Sequence, residues 1–409
     1  MSLEILQIQK RILDNMKKII SILFLCISTF FAIAENSNNV EEIAKINLPA
    51  PKILAQKYFK LLQRIGYTTQ EQMQQLIIAT LLGYPNFDGV SSSEALNIAI
   101  YNRNNKYLTF AEVSADENSI FVRNLKNFIK LEPRNNRMFA QLTGDKDTTL
   151  AKEISFETTS TTALIQAYIS KPEILTNFIP LPDFFTKYLK SSKNAKVEIE
   201  DENNALVINI ILESKSNTQE FEAGIELATL LPKNDTEISA NIINKNGIEI
   251  PIKTQNGNVS IQTRGNCSIS INSVKEQIYI VMLGKIMDAT NTTTDGKIYQ
   301  LLPDLTSAKA NLWGIPLTNI LFTSFEKFIV LSTDKTKLNE ITTKLKSFKI
   351  IKTKTPNITF RQQSNNQTLN AKISFSKENI TLQLTIPYKW GKPLLDNINT
   401  YLSTNQTQQ

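Results

Sequence analysis

Residues 258–283 read NVSIQTRGNCSISINSVKEQIYIVML, and the period of this stretch decides what kind of chain surrounds it. Apolar residues fall at every second position in Val259 and Ile261 and again in Ile269 and Ile271. From Ile278 to Leu283 they form a nearly continuous run. A period of two puts successive side chains on opposite faces of a strand, and a short continuous run marks a strand covered on both faces. The same alternation runs back through KVEIE (196–200), LVINIILE (206–213), EISANII (237–243) and IEIPIKT (248–254). The breaks between segments are DENN, NKNG, QNGN and RGNC, where Asn and Gly tolerate positive φ and signal hairpins. Residues 196–283 therefore read as an antiparallel β-rich segment, with FEAGIELATLL (221–231) compatible with strand or helix.

On either side of this segment the pattern is mixed. YLTFAEV (107–113) alternates as a strand, ADENSIFVRNLKNFIK (115–130) has helical spacing, and RMFAQLT, AKEISFET and TALIQAYI alternate again before Lys171-Pro172 opens a helix. The order returns later. KFIVLST (327–333) is a strand, DKTKLNEITTKLKSF a helix, NITFRQQ, LNAKISFS and NITLQLTI three strands, and Lys392-Pro393 opens a last helix. The first strands are offset by 220 residues and the Lys-Pro pairs by 221, which marks a candidate internal duplication. Upstream, PKILAQKYFKLLQRIGY (51–67) places Ile53, Leu54, Tyr58, Leu61, Leu62 and Ile65 on one helical face, with Pro51 in the first turn and Gly66 at the stop. A second helix is expected from Thr69, with a stripe at Met73, Leu76, Ile77, Thr80 and Leu81.

The N-terminus carries an export signal. Lys17 and Lys18 precede an apolar run from Ile19 to Ala34 that is short for a bilayer span of roughly 20 residues. It ends in Ala32-Ile33-Ala34 ahead of the polar Glu35, an A-x-A cleavage site. Cys26 follows Leu25, where a lipoprotein signal needs a small residue. Cleavage removes four basic and two acidic residues and lowers the formal charge from +7 to +5.

The expected organisation is a signal peptide at 1–34, with 1–15 read as an extension upstream of Met16, and a linker at 35–50. A helical hairpin at 51–90, an α+β half at 91–195, the β-rich segment at 196–283, a second α+β half at 284–403 and a tail at 404–409 follow. The fold class expected is α+β: an N-terminal helical hairpin followed by two similar antiparallel α+β halves joined by a β-rich segment.

Composition narrows the chemistry. The chain has no histidine, so imidazole bases and His-bearing triads are excluded, and with Cys267 the one cysteine left after cleavage the ordinary zinc, copper and non-haem iron ligand sets are missing. Glycine, at 12 residues, falls well below the usual ~7%, and neither phosphate-loop spacing occurs. Asp145 and Asp147 resemble the start of a calcium loop, but Phe156 occupies the twelfth position, which needs a bidentate carboxylate. Asp116-Glu117 fits a helix start and Asp201-Glu202 a hairpin turn. Trp313 and Trp390 are the two tryptophans open to sugar stacking. Asn258, Asn291, Asn357 and Asn379 stand in Asn-x-Ser/Thr sequences, which matter where the host glycosylates exported chains.

Ser170-Lys171 could form a nucleophile and base only with a desolvated lysine, and at a helix entry Ser170 reads instead as a cap. The densest basic stretch, KTKLNEITTKLKSFKIIKTKTP (335–356), fits a solvated face or an anionic surface.

No catalytic, cofactor or metal residue is assigned. The expectation is an exported, non-catalytic protein that binds a macromolecular partner or scaffolds an envelope assembly. A protein or envelope component is the expected partner; nucleic acid is not, and membrane contact requires a retained N-terminal segment. The alternatives are a secreted hydrolase using carboxylates or the Ser-Lys pair, and a membrane-anchored envelope protein of the same build.

Overall fold

The computed structural model describes residues 40–67, 72–73, 76, 79–80, 82–103, 106–127, 129–143, 148–157, 160–173, 189–202, 205–214, 221–244, 246–254, 257–288, 298–301, 311–312, 315–316, 320–364 and 367–389. The chain separates into two compact units, one of residues 1–215 with 386–409 and the other of 216–385.

The first unit contains β1 (Glu41–Leu48), α1 (Pro51–Arg64), β2 (Leu96–Arg103), β3 (Lys106–Val113), α2 (Ile120–Leu125), β4 (Glu132–Arg134), β5 (Arg137–Thr143), α3 (Thr148–Glu153), β6 (Ile165–Ile169), β7 (Ser192–Glu202) and β8 (Ala205–Ser214). Its strands pair antiparallel throughout, in the order β8-β7-β6-β1-β2-β3-β5-β4. β3 and β5 are covered on both faces. Val113 and Met138 pack with Phe121 and Val122 of α2, while Leu108, Phe110 and Phe139 point the other way onto Leu150 and Ala151 of α3. The Phe110 and Phe139 rings stack at 5.8 Å.

Residues 41–48, expected within a polar linker, form β1 between β2 and β6. Ile43, Ala44, Ile46 and Leu48 are buried. The charges that make the segment look like a linker find partners at its margin: Glu41 pairs with Lys171 at 2.6 Å, and Glu42 accepts from Tyr101 at 3.1 Å and pairs with Lys45 at 3.2 Å.

Burial first, and then the Glu42 charge, push the Tyr101 phenol up to about 12 from an ordinary 10.0. The fold thus favours the neutral phenol, a contribution complete below pH 10 and lost as the pH rises from there to about 12. Tyr101→Phe removes this component, so its stability falls less steeply on the alkaline limb. Denaturant unfolding at stepped pH checks this, and parallel slopes for the two proteins contradict it.

The second unit contains β9 (Phe221–Ala223), a 3-10 turn (Ala228–Leu230), β10 (Thr236–Asn244), β11 (Ile248–Thr254), β12 (Gly257–Asn272), β13 (Gln277–Asp288), β14 (Tyr299–Gln300), β15 (Asn311–Leu312), β16 (Ile315–Pro316), β17 (Leu321–Phe325), β18 (Phe328–Ser332), α4 (Lys335–Leu345), β19 (Asn357–Ser364), β20 (Gln367–Phe375) and most of β21 (Asn379–Pro387). The main run is β21-β20-β19-β10-β12-β13-β18-β17-β14, again antiparallel. β9 adds to the end of β10, and β11 to the first half of β12.

The apolar run of β13 serves both faces, as its sequence predicts. Ile278 and Ile280 join Val259, Ile261, Phe322 and Ile329 in one core. Tyr279 and Val281 join Phe328, Val330 and the Leu338, Ile341 and Leu345 stripe of α4 in the other. α4 starts where Asp334 accepts hydrogen bonds from the backbone N–H groups of Thr336 (2.8 Å) and Lys337 (3.2 Å). Asp334→Ala leaves these donors without their cap and is expected to lower stability by about 1 kcal/mol. A denaturation midpoint equal to wild type contradicts that assignment.

The expected fold class is corrected. Among the described residues strand outweighs helix 53% to 19%, and their fold is mainly antiparallel β rather than α+β. α1 lies where its spacing places it, but it follows a central strand and is not the opening arm of a helical hairpin; the second helix of that hairpin falls largely outside the described residues. The two similar halves are not reproduced in the pairing. β5 joins β3 and β6 joins β1, whereas β19, β20 and β21 pair consecutively with one another. AKEISFET, expected as a strand, begins with the last turn of α3, because Leu150 and Ile154 one turn apart both reach Phe139 and its neighbours. RGNC, expected as a turn, is a bulge inside the 16-residue β12. FEAGIELATLL resolves into β9 and the 3-10 turn.

Candidate interaction surface

Several of the titratable groups singled out by sequence are held by partners from elsewhere in the chain. Lys171 is ion-paired with Glu41 and partly exposed, unlike the desolvated lysine of a Ser-Lys mechanism. The Ser170 backbone N–H donates to the Ile43 carbonyl at 2.9 Å. The helix that Ser170 was expected to cap shows its first residues, 172–173, and otherwise lies outside the described residues, as do the signal segment, Asp145, Asp147, Trp313 and Trp390. Cys267 is half-buried, and desolvation pushes its thiol up.

Two carboxylate clusters were not foreseen. Arg137 on β5 reaches Glu112 of β3 at 2.7 Å and Glu94 at 2.8 Å; the bond to Glu112, set against the opposing effect of burial, raises the guanidinium value. Asp201, read as a turn residue, closes β7 with its side chain only 7% exposed. It accepts hydrogen bonds from the Tyr388 hydroxyl and from Arg64 of α1, the latter at 2.7 Å, and the guanidinium lies 5.3 Å from the Tyr388 ring centre. In both clusters the carboxylates are neutralised by an arginine within hydrogen-bond reach, an arrangement that locks strands and helix together. Among the described residues, no group of three or more Cys, Asp or Glu is placed to hold a metal. No helix of the described residues is long and apolar enough to cross a membrane.

Large apolar side chains are exposed at several places among the described residues, Val274 the most; the one flanked by clustered lysines is built at the end of α4. Phe348 turns inward and meets Phe328 edge-on at 6.1 Å. The next two side chains turn outward: Ile350 is 47% exposed and Ile351 55%. Lys346, Lys349, Lys352 and Lys354, all exposed, flank them. Over residues 335–354 there are seven lysines against the single acid Glu340, whose carboxylate pairs with Lys337 and Lys344. Lys346 also complements the negative end of the α4 dipole, but Lys349, Lys352 and Lys354 lie past the last turn, where that effect has faded.

The backbone beneath this shoulder is fixed. The Glu226 N–H donates to the Ile351 carbonyl and the Thr353 N–H to the Gly224 carbonyl, each at 2.9 Å, forming a short antiparallel bridge centred on Ile225 and Lys352. The outward-facing N–H and C=O of Ile225 bond to the side-chain amide of Asn266. Its Oδ1 accepts from the Ile225 N–H, and its Nδ2 donates to the Ile225 carbonyl at 3.0 Å and the Ala240 carbonyl at 3.2 Å. Asn266 is fully buried. It reaches this position because β12 bulges between Thr263 and Cys267, with Gly265 at φ +100° turning the chain where a β-carbon would be strained. Opposite, a β-carbon on Gly224 would stand 2.6 Å from Asn266 Oδ1 and 2.7 Å from the Asn241 carbonyl carbon. One asparagine amide thus replaces a strand edge, and the lysine shoulder rests on it.

Sequence reading located the lysine run but not the outward isoleucine pair, because nothing local separates Ile350 and Ile351 from a buried strand. No protein-family model matches the chain, and no curated protein or solved structure matches it either.

Proposed function

We propose that the chain is an exported, non-catalytic protein of the cell envelope that holds a macromolecular partner through the exposed shoulder at Lys346–Lys354. The carrying observation is that shoulder: four exposed lysines and two exposed isoleucines on a pinned backbone, an arrangement that leaves apolar surface in water unless something covers it. The export signal read at residues 16–34 supports the location, and the closed Arg-carboxylate clusters support a structural rather than a catalytic use of the titratable groups. Positive charge at the shoulder speeds and orients encounter with an anionic partner, while the isoleucines supply contact that persists once salt screens the charges.

The test compares the wild-type chain with a variant carrying Lys346→Gln, Lys349→Gln, Lys352→Gln and Lys354→Gln in the cells that make it. Wild type is expected in the envelope fraction with an intact mass beginning at Glu35, and the variant in the soluble fraction at equal abundance and thermal stability. Equal retention of both proteins refutes the shoulder as the docking face, and a mass that keeps residues 16–34 assigns retention to an anchor instead.

A further inference from the structure

We infer that the partner of the shoulder is an anionic phospholipid bilayer, with the four lysines seated among headgroup phosphates and Ile350 and Ile351 entering the boundary between headgroups and acyl chains; this rests on the docking reading above. Three observations favour a bilayer over an acidic protein. All seven basic residues at 335–354 are lysines, whose compact, hydrated charges suit attraction to a diffuse phosphate layer, whereas a fixed carboxylate is matched best by the planar fork of arginine. The isoleucines are adjacent, each about half exposed, and are flanked in sequence by the exposed Lys349 and Lys352, so apolar and cationic side chains alternate along one short exposed stretch. This stretch is held by the Ile351 and Thr353 backbone bonds and Phe348 is anchored beneath it, so insertion orders little new chain. Exposed Glu226, whose N–H bonds Ile351, is the acidic residue closest in the ladder and leaves the balance strongly positive.

The test is co-sedimentation of the purified exported chain with vesicles of phosphatidylglycerol and phosphatidylethanolamine, against vesicles of phosphatidylcholine. Binding is expected on the anionic vesicles alone and is expected to weaken as salt rises. The four-lysine Gln variant should partition at least tenfold less, because each lysine near the surface contributes separately. Ile350→Ser with Ile351→Ser should also reduce binding, while leaving the remainder more sensitive to salt. Both variants alter exposed side chains, and an unchanged unfolding midpoint shows that they are folded. Equal binding to neutral vesicles, wild-type binding by either variant, or displacement by millimolar inorganic phosphate, which marks a phosphate site, overturns the bilayer assignment. If vesicles are not bound but envelope retention still needs the four lysines, the lipid inference fails and the docking reading stands; if neither depends on them, both fail.

Discussion

Asn266→Ala is expected to destabilise the second unit by about 3 kcal/mol or more. The substitution leaves the Ile225 N–H and the Ile225 carbonyl without the amide that serves them, and removes a further donor from the Ala240 carbonyl, all in a site sealed from water. An unsatisfied buried backbone group costs roughly 1–3 kcal/mol, and water cannot enter to replace a side chain at zero exposure without opening the bulge. For a unit of this size the melting temperature should fall by several degrees, at roughly 2–4 °C per kcal/mol. Gly224→Ala should act in the same direction by another route, since its β-carbon meets backbone on the neighbouring strand as well as the Asn266 oxygen and cannot be relieved by one rotamer change. The local signature is in amide exchange: Glu226 and Thr353, which bridge to the shoulder, should lose protection in both variants before the β12–β13 ladder does. A wild-type melting temperature and exchange pattern in Asn266→Ala would remove the asparagine from its assigned role.

Arg137→Met should cost about 3 kcal/mol in the first unit. Glu112 is 10% exposed at its side chain and Glu94 33%, so removing the guanidinium leaves one carboxylate buried and a second beside it with no cation between them. Breaking a buried pair by deleting one partner typically costs 3–5 kcal/mol, whereas replacing both partners with apolar residues can be nearly neutral. The double variant Arg137→Met with Glu112→Leu should therefore recover most of the lost stability, and that recovery separates an uncompensated charge from lost packing. Arg137→Lys should fall between, because a single ammonium cannot reproduce the fork that holds Glu94 and Glu112 through separate nitrogens. Denaturant midpoints of the three variants decide the matter. A double variant no more stable than Arg137→Met assigns the loss to packing alone.

Which parts of this fold were legible follows from which were decided locally. The strands of 357–387 and the double-faced run of β13 carry their own period, and α4 has both an Asp cap and a Leu338, Ile341, Leu345 stripe. RGNC reads as a turn because Asn and Gly punctuate turns and bulges alike; only the partners at Thr263 and Cys267 show that the strand continues. β1 reads as a linker because the groups that satisfy its charges beyond the local Lys45–Glu42 pair come from distant sequence: Lys171 pairs with Glu41 and the Tyr101 hydroxyl donates to Glu42. Asp201 has the residue type and position of a turn, and nothing near it in sequence announces Arg64 or Tyr388. The overestimate of helix has the same origin. The helical spacing of 115–130 extends past the helix itself, since α2 stops at Leu125, while the six-residue α3 stands where a strand is expected because packing on Phe139 decides it. At the shoulder, the lysine density was plain from sequence, but the outward direction of Ile350 and Ile351 depends on Phe348 turning inward and on an asparagine more than eighty residues earlier.

The most direct measurement is lysine-selective labelling of the chain bound to isolated envelopes, compared residue by residue with the free chain. Docking through the shoulder predicts that Lys346, Lys349, Lys352 and Lys354 lose most of their reactivity on the envelope while Lys275 and Lys377, exposed on turns elsewhere in the same unit, keep theirs. Equal labelling of all six in both states would contradict docking through this surface.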